Sequence, residues 1–182
     1  MDAATHYRHL LSLGRDEFLA AAAPAVLVRH RVDALELDAG LQTVTIDADA
    51  DELLDETSPQ RKLSADGLDL ELYPLAKKPG ASFPDRITIG RTANNDVAIA
   101  DHSVSRLHAY ARQANGDPAT DHGWLIADAG SKNGSWLQEA PLEPRREVAL
   151  PPGSVVKLGD VMLTFYRSCD LFDLLGDDHD RR

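Results

Sequence analysis

Ile87-Thr88-Ile89-Gly90-Arg91 begins the stretch on which the reading of the fold turns. Two isoleucines on one side of a two-residue period, then a glycine and an arginine, predict a strand that ends in a polar loop. Two further clusters follow in order, Ser105-Arg106-Leu107-His108 and Ser131-Lys132-Asn133-Gly134, with extended-type sequence between them. Upstream, Leu68, Leu70 and Leu72 alternate with Asp69, Glu71 and Tyr73. Downstream, the strand candidates are Val97–Ile99, Leu107–Arg112, Trp124–Asp128, Ser135–Leu137, Val155–Leu158 and Val161–Tyr166. Turn chemistry separates them at Asn94-Asn95, Asn115-Gly116-Asp117-Pro118, Asn133-Gly134, Pro151-Pro152-Gly153 and Gly159-Asp160. Many short strands with closely spaced turns predict a mainly β sandwich or barrel rather than a parallel α/β sheet.

Away from this region the pattern changes. Tyr7, Leu10, Leu11 and Phe18 share one face of a 3.6-residue period, which predicts a helix over 1–23, stopped by Pro24. Ala25 to Val28 form a short apolar run, and Leu41 to Asp47 alternate, with Val44 and Ile46 on one side. Residues 48–66 are acidic and polar and read as a linker containing Thr57. Near the end, Leu171, Phe172, Leu174 and Leu175 predict a short helix, and Asp177-Asp178-His179-Asp180 a solvated end. The expected division is an N-terminal α+β extension and acidic linker over 1–62, a β domain over 63–168, and an acidic tail over 169–182.

Composition removes several function classes. The chain has 182 residues, 43% of them hydrophobic, enough for one sizeable core. No apolar stretch approaches the ~18 residues a membrane span needs. Asp2 stands where a secretory signal would want basic residues, and no apolar run follows it, so a cytoplasmic location is expected. Cys169 is the single cysteine, which rules out an intrachain disulfide and a thiolate metal cage. The seven histidines show no metal-ligand spacing, so neither metal nor cofactor is expected. A net charge of −11 argues against nucleic acid as a ligand. An anionic peptide is not excluded in the same way. At physiological salt the Debye length is about 8 Å, so distant carboxylates are screened, whereas a guanidinium touching a phosphate acts at about 3 Å.

The three clusters contain what a phosphate clamp needs: a fixed cation, short donors and stiff loops. Gly90 has no Cβ, so another group can approach the backbone before Arg91 emerges at a strand end. The Ser105 hydroxyl beside its own amide offers two donors to one anion. Asn133-Gly134 is a strong turn signal, and an Asn amide can give a donor and an acceptor to one peptide unit. His108, three after a serine, invites a nucleophile–base reading, but a strand would turn positions 105 and 108 to opposite faces. No oxyanion-hole glycine motif, Gly-Lys-Ser phosphate loop or orienting acid accompanies them, so no enzyme is expected.

Over about residues 67–167 this ordered set resembles the forkhead-associated (FHA) family, β-sandwiches that bind phosphothreonine in partner proteins. The resemblance implies an FHA-like β-sandwich of two antiparallel sheets between an N-terminal α+β extension and a short C-terminal helix or tail. It assigns Arg91, Ser105 and Arg106 to the phosphate or the adjacent peptide. Asn133 is assigned to the ligand backbone, and Lys132 to a variable position near the phosphate. It makes Gly90, His108, Ser131 and Gly134 structural supports of the loops. Some bacterial relatives carry a phosphorylatable threonine ahead of the domain that occupies the protein's own site, a role open to Thr57. The expected function is a phosphothreonine-dependent adaptor in bacterial Ser/Thr kinase signalling, its partners threonine-phosphorylated proteins such as a kinase or its substrates. The alternative is a phosphate-independent scaffold or a subunit of a larger assembly. No membrane or nucleic-acid partner is expected.

Overall fold

The computed structural model describes residues 3–30, 70–114 and 123–176. Thr57, the alternating stretch Leu41–Asp47, the acidic segment 48–66, the turn Asn115–Pro118 and the last six residues lie outside the described residues. Two helices open the chain, α1 (Ala3–Leu13) and α2 (Arg15–Ala21), and α3 (Ser168–Gly176) closes the described part. Between them run β1 (Ala25–His30), β2 (Leu70–Pro74), β3 (Ile87–Gly90), β4 (Val97–Ala98), β5 (Ala109–Gln113) and β6 (Trp124–Asp128). They are followed by β7 (Ser135–Leu137), β8 (Ala140–Pro141), β9 (Val148–Ala149), β10 (Val155–Leu158) and β11 (Val161–Arg167). No helix among the described residues is long and apolar enough to cross a membrane.

The strands form a mainly β sandwich. One sheet has the order β2-β1-β11-β10-β7-β8, and the other β4-β3-β5-β6-β9. The pairings are antiparallel except β3 with β4, which run parallel. Inward-facing residues alternate along each strand, as the period of two demands. Leu27, Leu163 and Phe165 from the first sheet meet Ile89, Ala111, Trp124 and Ile126 from the second, and all of them are buried. The Trp124 and Phe165 rings lie 5.9 Å apart.

β1 explains an odd feature of its sequence. Ala25, Val26, Leu27 and Val28 are all apolar and all fully buried, because the strand is covered on both faces. Ala25 and Leu27 point into the sandwich. Val26 and Val28 point the other way, into a second core with Tyr7, Leu10, Phe18 and Leu171. The three helices therefore form a third layer on the outer side of the six-stranded sheet. Phe18 is its centre, with ring centroids 5.8 Å from Tyr7 and 5.2 Å from Phe172. Arg15 pairs with Asp173 across α2 and α3.

Two expectations need correction. β1, expected in a separate N-terminal extension, is an interior strand of the sandwich, paired with β2 on one side and β11 on the other. The predicted single helix over 1–23 is two helices. Gly14 adopts φ 103°, a backbone state open to glycine and costly elsewhere, and it separates α1 from α2. The short strands β8 and β9 were not foreseen. β7 and β8 join through Gln138 and Glu139, both at positive φ (48° and 68°), the conformation that a two-residue hairpin loop requires.

Candidate functional site

The loops after β3, before β5 and after β6 meet at one edge of the sandwich. β3 ends at Gly90, where the backbone of the next loop comes so close that a Cβ would sit 2.3 Å from the Arg106 carbonyl oxygen. No other residue fits without displacing that loop. The approach is secured by hydrogen bonds. The Arg91 N–H donates to the Ser105 carbonyl at 2.9 Å, and the His108 N–H to the Ile89 carbonyl at 2.9 Å. Asn95 donates its side-chain amide to the Arg106 carbonyl at 2.6 Å, and the Thr92 hydroxyl donates to the same oxygen at 3.1 Å.

His108 is fully buried between the second and third loops. Its Nδ1 accepts the Ser105 N–H at 2.9 Å, and its Nε2 lies 2.9 Å from the Gly134 carbonyl. Since the amide can only donate, the proton resides on Nε2, and the ring is neutral. Burial holds the imidazole below its ordinary value of 6.5, outweighing the Gly134 carbonyl and the Asp128 charge, which favour protonation. Residues 105–108 are bent rather than extended as a strand, and for that reason the ring reaches back to its near neighbour. One expectation fails here. The Ser105 amide is spent on His108, so only the hydroxyl is left for an anion. That hydroxyl accepts the Lys132 N–H at 2.9 Å, which leaves its own proton free to donate.

Asp128 organises the third loop. Its Oδ1 accepts the N–H groups of Gly130 (2.7 Å) and Ser131 (2.8 Å), and its Oδ2 the hydroxyls of Ser131 (2.6 Å) and Ser135 (2.5 Å). Burial pushes this carboxyl up, but the four donors win and hold it below the usual carboxylate range. Ser131 passes the constraint on, its Oγ accepting the Gly134 N–H at 3.0 Å. Asn133 donates its side-chain amide to the Ser103 carbonyl at 2.8 Å, and Gly159 packs against that carbonyl so closely that a Cβ would lie 2.5 Å away. A second buried carboxylate, Asp96, fixes the first loop. It accepts the Lys77 ammonium at 2.7 Å, the Lys78 N–H, and both the N–H and hydroxyl of Thr88. Burial raises its carboxyl and these donors lower it, with a net shift downward.

Asp96, Asp128, Asn95 and Ser103 were not singled out in the sequence. For Asp128 a signal was present: an aspartate two and three residues before Gly130 and Ser131 is an Asx-turn pattern. Asp96 carried none, because a carboxylate's donors come from residues remote in sequence.

The loops enclose an open cleft of about 900 Å³. Arg91, Ser105, Arg106, Lys132 and Asn133 all line it, whereas Gly90, His108, Ser131 and Gly134 lie behind or beside it as loop partners. Among the described residues its lining includes three Arg or Lys side chains and no Asp or Glu. Arg91, Arg106 and Lys132 are exposed, and their cationic groups make no ion pair with a described residue. A protein with a net charge of −11 thus presents a locally positive cleft. Among the described residues no group of three or more His, Cys, Asp or Glu is arranged to hold a metal ion.

The family model of the FHA domain matches residues 87–159. The chain carries a forkhead-associated domain. The matched range of this FHA domain begins at β3 and holds all three cleft loops, while β1, β2 and β11 of the same sandwich lie outside it. An FHA domain-containing protein of Arabidopsis thaliana is 36% identical over 87 residues, which is 47% of this chain and 20% of that protein. An oxoglutarate dehydrogenase inhibitor of Corynebacterium diphtheriae is 33% identical over 78 residues, 43% of this chain and 48% of that protein. The FHA match thus spans half or less of the length of these relatives. Among solved structures, Mycobacterium tuberculosis EmbR in complex with a low-affinity phosphopeptide is 28% identical. It covers 53% of this chain and 22% of its own, with a TM-score of 0.41.

Proposed function

We propose that the cleft binds phosphothreonine in partner proteins, and that the chain is an adaptor in bacterial Ser/Thr kinase signalling, acting in the cytoplasm on a kinase or its substrates. What carries this reading is the gathering of Arg91, Arg106 and Lys132 around the free Ser105 hydroxyl proton, with no ion pair and no cleft carboxylate among the described residues. A phosphothreonine has about −1.5 to −2 charges and three strong acceptor oxygens, which match that donor set. Asn133, held at its Nδ2 by Ser103, keeps its Oδ1 and second N–H for the backbone of an extended ligand. The corynebacterial relative supports a bacterial setting.

Arg91 faces the cleft with no competing partner, so it should dominate affinity. Removing one member of such a charge-assisted contact costs about 2–5 kcal/mol, or some thirty- to several-thousand-fold. Titration calorimetry with phosphothreonine, phosphoserine and unphosphorylated peptides should give binding with the first alone, and Arg91→Ala should abolish it. Equal affinity of the variant would refute the clamp. Thr57, outside the described residues, is proposed as a regulatory phosphosite: once phosphorylated it competes for Arg91, so phosphorylated chain should bind external peptide more weakly than unmodified chain.

A further inference from the structure

The period of two that turns Ala25 and Leu27 of β1 into the sandwich gives Arg29 the same face, at the end of the strand where the apolar core stops. A cation there needs partners, and it has two. Its guanidinium lies 3.6 Å from Glu71, its register partner on β2, and 3.5 Å from Oδ2 of Asp101. Asp101 opens the second cleft loop, and its other oxygen, Oδ1, accepts both the N–H of Ser103 at 3.0 Å and the Ser103 hydroxyl at 2.8 Å. With its own proton committed, the Ser103 hydroxyl accepts the Asp160 N–H at 2.9 Å. The Ser103 carbonyl accepts the Asn133 side-chain amide at 2.8 Å. A continuous line of polar contacts thus runs from β1, outside the matched range 87–159, to a side chain in the cleft.

We infer that Arg29 is a positioning residue of the cleft, setting the orientation of the Asn133 amide through Asp101 and Ser103. The inference rests on the phosphothreonine reading, in which that amide meets the ligand backbone. Arg29 itself is absent from the cleft lining. It fixes one oxygen of Asp101 so that the other stays aimed at Ser103. Without its charge the carboxylate gains freedom to rotate, and the Ser103 N–H and hydroxyl follow it. Asn133 then loses the fixed carbonyl that decides which end of its amide faces the ligand. The Arg29 and Asp101 side chains are 32% and 28% exposed, so their attraction is only partly screened by solvent. The Ser103 bonds first, and the Arg29 charge after them, hold the Asp101 carboxyl below the usual carboxylate range, against a small opposing effect of burial. The link is therefore charged at neutral pH.

The test is a double-mutant cycle on the full chain, read by titration with a phosphothreonine peptide. Arg29→Met keeps the length of the side chain and removes the charge, and it should weaken binding about threefold. Asn133→Ala should weaken binding by itself, and in that background Arg29→Met should change nothing further. A merely structural role would loosen the loops equally in both backgrounds. Asp101→Asn keeps an acceptor for Ser103 and discards the attraction to Arg29, so it should reproduce the Arg29→Met result and serves in its place if that variant folds poorly. The Asn133 side-chain amide resonance should also move in either variant before any peptide is added. Unchanged affinity, equal losses with and without Asn133, or an unmoved amide resonance overturns the inference while the clamp stands. If the unaltered chain binds no phosphothreonine peptide, the clamp reading falls, and the amide resonance alone decides whether Arg29 positions Asn133.

Discussion

At the scale of single residues, the site depends on groups that never touch the ligand. His108 must be neutral, because its Nδ1 accepts the Ser105 amide while Nε2 donates to Gly134. Its folded value is depressed, so its contribution to stability is present above the ordinary 6.5 and is lost as pH falls through the folded value. Thermal melts should therefore drop as pH falls below about 6.5, a range in which the carboxylates Asp96 and Asp128, held below about 3.8, are still charged until far lower pH. The same melts of His108→Ala should start lower and be flatter; an equally steep profile would show that another group titrates. Asp128→Ala is expected to cost about 2–4 kcal/mol in denaturant unfolding, because it strips four donors of their acceptor in a buried place. It should also weaken phosphopeptide binding by loosening residues 130–134. Lys132→Ala, exposed and unpaired, should leave stability unchanged.

At the scale of elements, the outer helical layer is part of the sandwich's stability. Phe18 is fully buried between α1, α3 and β1, and Phe18→Ala should cost about 3–5 kcal/mol, read as a shifted chemical-denaturation midpoint. Deleting residues 1–62 takes β1 out of the six-stranded sheet and exposes β2 and β11 edges together. That truncated chain should fail to show a cooperative melt, whereas a free-standing FHA core would melt normally. These elements also mark where sequence reading reaches its limit. Trp124–Asp128, Ser135–Leu137 and Val155–Leu158 were read to the residue, because alternation between strong turn residues leaves one solution. β1 was read as a strand but misplaced: a run apolar on both faces says that both are covered, not by what. β8 and β9, two residues each, are too short to show a period. The three cleft loops were legible by their residues; of the carboxylates that hold them, Asp128 left a local Asx-turn pattern, whereas Asp96, whose donors Lys77, Lys78 and Thr88 are distant in sequence, left none.

At the scale of the molecule, two electrostatic effects oppose each other. The whole chain repels an anionic peptide, and the cleft attracts it. They separate by range. From 0.01 M to 0.15 M salt the Debye length falls from about 30 Å to about 8 Å, which removes most of the repulsion and little of the contact attraction. Stopped-flow binding of a phosphothreonine peptide should thus show an association rate that holds or rises over this range, with any loss of affinity in dissociation. An association rate falling steeply with salt would mean that the cleft's field, not the net charge, governs the approach.

The pairing of β1 with β11 joins Ala25 to Arg167 and Val28 to Thr164, partners near opposite ends of the described chain. During synthesis β1 emerges well before β11 and waits for it while residues 31–160 are made. Over that interval an apolar strand with one open edge is exposed to other nascent chains. Closure of so long a loop is also a slow step in folding. A cleft whose three loops sit on adjacent strands is encoded locally, but it is not stable until β11 arrives. The cleft is therefore unfinished toward any ligand until β11 has been made.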